Sequence, residues 1–353
     1  MNESNWCGKN GPLLIAEIGG NHEGNFDYAK KLVNLALNTQ VDIIKLQLYE
    51  GRSLVSPFES KDRFKHFKKF QLSKNEHIYL AQMCRDSGIK YLSSVWDLDM
   101  LHWIDEFLDC YKIGSGDLTA YPIIKEFSTR GKPIIMSTGL SNLEEIKQSI
   151  QFIQSQNSVY KDKNHLAILQ CTSSYPTIDE EVNLRVIKTL KEETKMTVGY
   201  SDHTIGSLAL RGAYAQGAEI LEFHFTDSRE GKTFRDHKVS LTPDETKELI
   251  KDIKKGPRET EVQIQDKSRL KIFLGQKEKS PTKGEIDSNN LISFRRAIYP
   301  NKFLKKGHSL KEDDLIYLRP NHGIDVREYK KIVGKKIKKD TQPFEKLQLE
   351  FEK

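Results

Sequence analysis

Two lysines lie where a charged side chain is least expected, inside short apolar runs of the chain. Lys45 is part of DIIKLQLY and Lys112 is part of CYKIGSG. Burying an unpaired cation is costly, so each lysine should face an anion. A structural carboxylate such as Asp42 or Asp97 could serve as that partner. Because serines end several neighbouring apolar runs, we favour a bound ligand with phosphate or carboxylate oxygens.

Hydroxyl groups complete this candidate cradle. A serine can donate to the anion oxygens that the two lysines leave unbound. The serines that end neighbouring apolar runs are Ser94, Ser115, Ser137 and Ser201. Glycine-rich pieces such as KIGSGD and STG allow a ligand to approach the backbone closely, although each piece alone is a weak signal.

Histidines provide the second candidate site. His203 in GYSDHT and His224 in LEFHF end two successive apolar runs, so they should be neighbours. Two neutral imidazoles, with water and a substrate oxygen, would make an open site for a divalent metal acting as a Lewis acid. His22 in GGNHEG and His237 in RDHK are further candidates, for the metal or for substrate hydroxyls. Ordinary hydrogen-bonding histidines are the alternative.

Three carboxylates accompany these groups: Glu17, Glu222 and Asp236. Glu17 follows the apolar run LLIA, so burial could raise its pKa and suit it to proton transfer. A structural ion pair with a barrel lysine is the alternative. Glu222 precedes His224 by two residues and therefore shares its strand face.

Eight apolar, β-branched runs must position these residues. They alternate with segments of helical period such as FDYAKKLVNLALNT and NLEEIKQSIQFIQ, a pattern typical of a (β/α)8 TIM barrel. A doubly wound open sheet is the alternative, but it would leave the polar ends of several runs far apart. The predicted strands are 13–19, 42–49, 90–97, 110–116, 133–139, 166–174, 196–202 and 218–225.

A second, smaller unit follows the barrel. We predict a barrel domain over 1–278, a linker over 279–290 and a small β-rich domain over 291–353, with strand candidates FRRAIYP and DLIYLRP. A polar stretch over roughly 255–290 indicates a linker before this unit. Residues 284–353 carry 16 Lys and Arg against 11 Asp and Glu. Because acids alternate with these lysines and no aromatic stripe accompanies them, we expect no nucleic-acid partner.

Composition narrows the class of protein further. The 353 residues are 37% hydrophobic and 30% charged, and no stretch approaches the ~20 apolar residues of a bilayer span. The four cysteines form no CxxC pair, which argues against a disulfide framework or a cysteine zinc site. With no secretory signal readable at the N-terminus, we expect a cytoplasmic protein without a membrane partner.

Taken in order, the motifs resemble the sialic acid synthase family. The resemblance is carried by IAEIGGNHEGN, DIIKLQ, YKIGSGDL, KPIIMSTG, LQCTSSYPT, GYSDHT and LEFHFTD, and the tail from FRRAIYP to VGKKI resembles that family's antifreeze-like (SAF) domain. The resemblance implies a TIM barrel that condenses phosphoenolpyruvate with an N-acetylated hexosamine such as N-acetylmannosamine. It also implies a divalent metal, manganese or alternatively magnesium or cobalt, and a nine-carbon 2-keto-3-deoxy acid as product.

The same resemblance implies roles for individual residues. Those implied to act in catalysis are Glu17, Lys45, Lys112 and Glu222. Those implied to bind phosphoenolpyruvate are Lys45, Ser94, Lys112, Ser115, Ser137, Ser173 and Ser201. Those implied to bind the sugar are Gln47, Tyr175, Glu222, Asp236 and Arg319, and those implied to bind the metal are His203 and His224. Arg319 of the RP motif is implied to reach the site of a partner subunit, in a domain-swapped homodimer.

Departures from the family pattern cluster where the sugar would be recognised. Ser94 replaces the family's phosphate-contacting threonine, Phe223 replaces a basic residue, and FRDH replaces the usual Gly-Pro-Asp. The loop 51–70 is unusually basic and aromatic. The acceptor therefore stays open, with the precursors of legionaminic, pseudaminic or deaminated nonulosonic acids as candidates. Two competing hypotheses are a synthase that acts on a phosphorylated pentose or tetrose and a non-catalytic carbohydrate-binding protein.

Overall fold

A parallel β-barrel forms the larger part of the computed structural model, which describes residues 5–349. Residues 1–4 of the predicted barrel domain and residues 350–353 of the predicted C-terminal domain lie outside that range. In the described part, eight parallel strands run in the order β4-β3-β2-β9-β8-β7-β6-β5, and β4 lies beside β5 to close the ring. The strands are β1 (Cys7–Gly8), β2 (Gly11–Gly19), β3 (Ile43–Leu48), β4 (Lys90–Val95), β5 (Tyr111–Ile113), β6 (Ile134–Ser137), β7 (Leu166–Cys171), β8 (Thr197–Asp202), β9 (Ile220–His224), β10 (Ala297–Pro300) and β11 (Leu315–Leu318).

The closed ring confirms the TIM-barrel prediction, since all eight predicted strands are present. The first barrel strand pairs in parallel with the last, Leu13 of β2 opposite Ile220 of β9. A doubly wound open sheet leaves its edge strands unpaired, so that alternative is wrong. Strand β1 adds a short antiparallel pair to β2.

Helices surround the barrel and join its strands. Several begin at a capping box, in which a side chain and a glutamate three residues on satisfy each other's backbone donors, as at Ser73, Asn142 and Thr242. Among residues 5–349 we find no helix with both the length and the apolar character that a bilayer span needs. The helices are α1 (Phe26–Leu37), α2 (Gly51–Leu54), α3 (Lys61–Phe70), α4 (Lys74–Asp86), α5 (Leu101–Ile104), α6 (Tyr121–Arg130), α7 (Leu143–Gln156), α8 (Val186–Thr194), α9 (Leu208–Ala215), α10 (Arg235–Lys238), α11 (Pro243–Ile253), α12 (Pro257–Gln263), α13 (Lys267–Leu274), α14 (Lys283–Asp287), α15 (Asn290–Ser293) and α16 (Tyr329–Ile332).

The barrel interior is layered because strand side chains alternate between its two faces. Apolar side chains fill the end at which the strands begin, and they are Leu13, Ile15, Ile43, Leu92, Ile135, Ala167, Leu169 and Ile220, with Trp6 and Cys110. Two residues further along the same strands the interior positions become polar, as at Lys45 after Ile43 and Glu222 after Ile220. The closed apolar plug therefore supports a charged layer near the carboxyl ends of the strands.

The stretch from about 255 to 290, interpreted as a linker, contains α12, α13 and α14. Its polar composition therefore belongs to helices with one exposed face. Beyond it, β10 and β11 lie within the two strand candidates and pair antiparallel, with Ala297 opposite Leu318. The boundaries 1–278, 279–290 and 291–353 stay predictions.

A buried arginine joins this C-terminal region to the barrel. Arg296 is 1% exposed, and its Nε donates to Oδ1 of Asp117 at 2.7 Å. Its Nη1 donates to the Tyr317 carbonyl at 2.8 Å. Asp117 follows β5, so one guanidinium connects the barrel rim with β11.

We predict that Arg296→Met lowers the free energy of unfolding by about 3–5 kcal/mol, because it leaves the buried Asp117 carboxylate without this partner. Chemical denaturation measures the change. The matched control is Arg258→Met, which removes an exposed arginine of α12 and should change stability by no more than about 0.5 kcal/mol. Equal effects of the two substitutions would contradict the assigned role of Arg296.

Candidate functional site

A cavity of about 590 Å³ opens at the carboxyl ends of the barrel strands. Active sites of TIM barrels lie at this face. The cavity brings together every residue to which the resemblance gave a role. These residues are Glu17, Lys45, Gln47, Ser94, Lys112, Ser115, Ser137, Ser173, Tyr175, Ser201, His203, Glu222, His224, Asp236 and Arg319.

Four buried charges form the floor of this cavity. Lys45 Nζ lies 2.5 Å from Glu17 Oε2 and 3.3 Å from Glu222 Oε1. Lys112 Nζ lies 3.3 Å from Glu222 Oε2. Each of the four side chains is 5% exposed or less. Glu222 therefore bridges the two lysines, and the floor carries no net charge.

The structural partners considered for the lysines have other tasks. Asp42 accepts hydrogen bonds from the backbone N–H groups of Lys9 and Leu14, at 2.8 and 2.9 Å. Asp97 accepts from the backbone N–H of Asp99 at 3.0 Å. The carboxylates that pair with the lysines are instead Glu17 and Glu222. Glu17 thus forms the ion pair that was considered as its alternative role, and its catalytic role stays a prediction.

The two glutamates of the floor differ in their affinity for a proton. Burial raises the pKa of Glu17, an effect that Lys45 only partly offsets. Burial would also raise the pKa of Glu222, but Lys112 and Lys45 together lower it to about 2. Glu222 is thus an anion near neutral pH. Of the two glutamates, Glu17 takes up a proton more readily.

Serine hydroxyls surround the lysines as expected. Lys112 Nζ donates to Ser137 Oγ at 2.7 Å, and Lys45 Nζ lies 3.5 Å from Ser94 Oγ. On the other side, the backbone N–H of Gly139 donates to Ser115 Oγ at 3.0 Å. A Cβ at Gly139 would lie 2.9 Å from this hydroxyl, so only glycine leaves the space beside it open. Hydroxyl, ammonium and backbone donors converge here as an oxyanion ligand requires.

Helix α14 holds this cradle in place, a role that the sequence analysis did not predict. The fully buried Glu285 accepts from the backbone N–H of Ser173 at 2.6 Å and from that of Leu140 at 2.9 Å. Asn290 Nδ2 donates to the Ser173 carbonyl at 2.8 Å. The capping-box spacing of Thr282 and Glu285 was the available signal for this helix. One carboxylate thus fixes the strand ends that carry two parts of the cradle.

The two predicted metal histidines face each other, with ring centroids 5.3 Å apart. His203 Nδ1 lies 2.7 Å from the Thr172 carbonyl, which can only accept, so Nδ1 donates. Burial lowers the pKa of His203, but Cys171 and this carbonyl together raise it to about 9, so Nε2 can bind a metal ion only after it gives up its proton. Burial lowers the pKa of His224 to about 3, so its imidazole is neutral, and its Nδ1 has no hydrogen-bond partner among residues 5–349. These donors fit a divalent cation.

The predicted metal site has only two protein ligands, His203 and His224. Within the part of the chain that the structure describes, no group of three His, Cys, Asp or Glu side chains is arranged to hold a metal ion. Two imidazoles would therefore need water or substrate oxygens to complete the coordination, which is the open arrangement of catalytic rather than structural sites. The metal itself stays a prediction.

His22 and His237, named as further candidates, lie outside the cavity lining. His22 Nδ1 accepts from the backbone N–H of Gly24 at 3.0 Å. His237 Nδ1 lies 2.7 Å from Thr226 Oγ1, and its Nε2 lies 3.3 Å from Glu23 Oε1. Both histidines have local structural partners, so the structure does not support them as ligands of this site.

Of the residues assigned to the sugar, Glu222 belongs to the floor, and Gln47, Tyr175, Asp236 and Arg319 line other parts of the cavity. Tyr175 packs on His203 with ring centroids 4.1 Å apart, and Gln47 Nε2 donates to Glu17 Oε1 at 2.8 Å. Arg319 pairs with Asp117 at 3.2 Å. Because Arg319 lines the cavity of its own chain, a single chain brings all the assigned residues together. The partner-subunit role of Arg319 is therefore not needed to complete the cavity, and the homodimer stays a prediction.

Comparisons with known proteins find a matching family, related sequences and a similar fold. The chain matches the NeuB family over residues 32–263. An uncharacterized protein of Methanocaldococcus jannaschii is 35% identical over 96% of this chain and 94% of its own. The N,N'-diacetyllegionaminic acid synthase of Legionella pneumophila is 32% identical over 92% of this chain and 90% of its own. A crystal structure of a spore coat polysaccharide biosynthesis protein from Bacillus subtilis has a TM-score of 0.77 at 25% identity, covering 97% of this chain and 95% of that one.

We predict that Glu285→Ala weakens binding of phosphoenolpyruvate by about 10- to 100-fold, because two backbone donors of the cradle lose a charged acceptor. Calorimetric titration measures the affinity, and thermal denaturation shows whether the variant is folded. Glu259→Ala, an exposed glutamate of α12, is the control and should bind as the unaltered protein does. Unchanged affinity in a folded Glu285→Ala variant would exclude this role.

Proposed function

This chain belongs to the NeuB family, and from that membership we propose that it condenses phosphoenolpyruvate with an N-acylated hexosamine to give a nonulosonic acid and phosphate. The observation that carries the proposal is the floor of the cavity, where two lysines, two glutamates and a ring of hydroxyls meet. A binding scaffold has no need of four buried charges, each pair of which is expensive to desolvate.

The proposed reaction makes one carbon–carbon bond and breaks one carbon–oxygen bond. C3 of phosphoenolpyruvate attacks the aldehyde carbon of the open-chain sugar, and positive charge develops at C2. Water adds at C2, and phosphate leaves from the resulting tetrahedral intermediate with the bridging oxygen. Of the two protons that this water releases, one goes to the former aldehyde oxygen and the other leaves on the phosphate. The C2 carbonyl oxygen of the product therefore comes from water.

The residues of the floor have distinct parts in this proposal. Lys45 and Lys112 hold the phosphate and carboxylate groups and stabilise their charge throughout, since ammonium groups fixed in a buried site need no reorganisation. Glu222, held as an anion, stabilises the positive charge at C2. Glu17 accepts the proton of the attacking water, because its raised pKa suits a general base.

We also propose the metal site at His203 and His224. A divalent cation such as manganese, when bound there, supplies Lewis acidity to the aldehyde oxygen of the acceptor. The hydrogen bond from His203 to the Thr172 carbonyl orients one imidazole for this task. Tyr175 packs against that imidazole and keeps it in place.

Arg319 is proposed to bind the N-acyl group of the acceptor. Its Nε is buried in the cavity wall without a hydrogen-bond partner among the described residues, as is Nε1 of Trp96 beneath it. An acyl carbonyl oxygen would satisfy such donors. We further propose that residues 291–353 form the antifreeze-like domain that supplies this arginine; the homodimer and the cytoplasmic location stay predictions.

We predict that phosphate is released from phosphoenolpyruvate when manganese and a suitable sugar are both present. Phosphoenolpyruvate labelled with ¹⁸O at the bridging position should transfer its label to phosphate, and mass spectrometry should find the sugar extended by a three-carbon keto acid. Chelation of the metal should abolish turnover. Release without a sugar, or label retained in the keto acid, would contradict the proposal.

For Glu17→Gln we predict a fall in kcat of about 10²- to 10⁴-fold, the usual contribution of a general base. Phosphoenolpyruvate should still bind, since both lysines remain. Glu259→Gln, which makes the same change at an exposed glutamate of α12, is the matched control and should keep the kcat of the unaltered protein. Normal turnover in Glu17→Gln would remove Glu17 from the reaction.

A further inference from the structure

Arg63 places a positive charge at the cavity wall. It lies on α3, within the basic and aromatic segment whose role the sequence left open, and it lines the cavity. Its guanidinium donates to the Ser293 carbonyl and packs over the rings of Phe294 and Phe67, at 5.1 and 5.7 Å. Among the residues that the structure describes, no carboxylate oxygen lies within 4 Å of it. These contacts hold Arg63 in place but leave its charge unbalanced.

Two further arginines line the same part of the cavity, and both are paired. Arg235 Nε lies 3.2 Å from Asp236 Oδ1, and Arg319 Nη2 lies 3.2 Å from Asp117 Oδ2. Arg235 also packs over Phe294, at 5.6 Å on the same ring as Arg63. Burial, together with the charges of Arg319 and Arg235, lowers the pKa of Arg63 to about 9. Within residues 5–349, the outer cavity therefore holds three guanidinium groups and carboxylate partners for only two.

We propose that the acceptor sugar carries an anionic group, a phosphate monoester or a carboxylate, which Arg63 binds with Arg235 beside it. The proposal rests on the proposed function, because it names the chemical class of the acceptor at the same site. A guanidinium that is half-buried and already held by aromatic rings is well suited to such a group, since it presents several donors in a fixed plane.

Phosphoenolpyruvate does not account for this cation. In the proposed function, its phosphate and carboxylate bind to the two lysines and to the serine hydroxyls beside them. Arg63 instead belongs to α3, and Arg235 packs over Tyr175 at 4.5 Å, next to residues assigned to the sugar. The unbalanced charge thus lies on the acceptor's side of the cavity.

Matched acceptors test the proposal. We would compare N-acetylmannosamine with its 6-phosphate and with N-acetylmannosaminuronate, and include a neutral 2,4-diacetamido-hexose. One of the two charged sugars should have a kcat/KM about 10- to 100-fold above both neutral ones. The 6-phosphate and the uronate arms distinguish a phosphate from a carboxylate as the bound group.

Arg63→Gln should remove this preference. We expect KM for the charged acceptor to rise about 10- to 100-fold, while KM for phosphoenolpyruvate and activity on neutral sugars stay within about twofold. Lys65→Gln is the matched control, because it removes a positive charge from the exposed face of the same helix. This control should leave all constants unchanged.

Three results would overturn the inference while the proposed function stands: a preference for neutral acceptors, a rise in KM for phosphoenolpyruvate alone, or equal behaviour of Arg63→Gln and Lys65→Gln. Absence of turnover with every sugar would instead count against the proposed function. In that case calorimetry with N-acetylmannosamine 6-phosphate, in the presence of phosphoenolpyruvate, decides the anion site separately. Equal affinity of unaltered protein and Arg63→Gln would then exclude it.

Discussion

The buried ion-pair chain Glu17–Lys45–Glu222–Lys112 is the constraint on which the rest of this structure depends. Burying four charges is unfavourable unless each has a partner at close range, and here the partners come from four different strands. Their pairing therefore requires a closed ring in which β2, β3, β5 and β9 end at one level. The apolar plug beneath them excludes water and provides the rigid support that such a network needs.

Segments outside the barrel also stabilise the cavity. Helix α14 lies after the last large helices of the barrel, yet its Glu285 fixes the backbone at Ser173 and at Leu140. Arg296 connects the C-terminal strands to Asp117, and Asp117 in turn pairs with Arg319 in the cavity wall. The C-terminal region is thus part of the site as well as an appended unit, because two of its arginines share one barrel carboxylate.

Charge divides the cavity into two zones. In the floor, two lysines are balanced by two glutamates. In the described part of the chain, the outer cavity has an excess of guanidinium groups and of buried donors without acceptors, among them Arg319 Nε and Trp96 Nε1. Both zones present hydrogen-bond donors, as the proposed condensation of an enol phosphate with a sugar requires.

The sequence alone determined the barrel and most of its site, since alternation within apolar runs and polar residues at their ends follow from local patterning. Lys45 and Lys112 were conspicuous because a cation in an apolar run contradicts that pattern. Only the tertiary structure decided their partners, because Glu17 and Glu222 are remote in sequence and meet through strand register. The contacts of Glu285 and Arg63 could not be predicted from the sequence either. Which face of a polar helix is buried depends on the surface that the helix packs against.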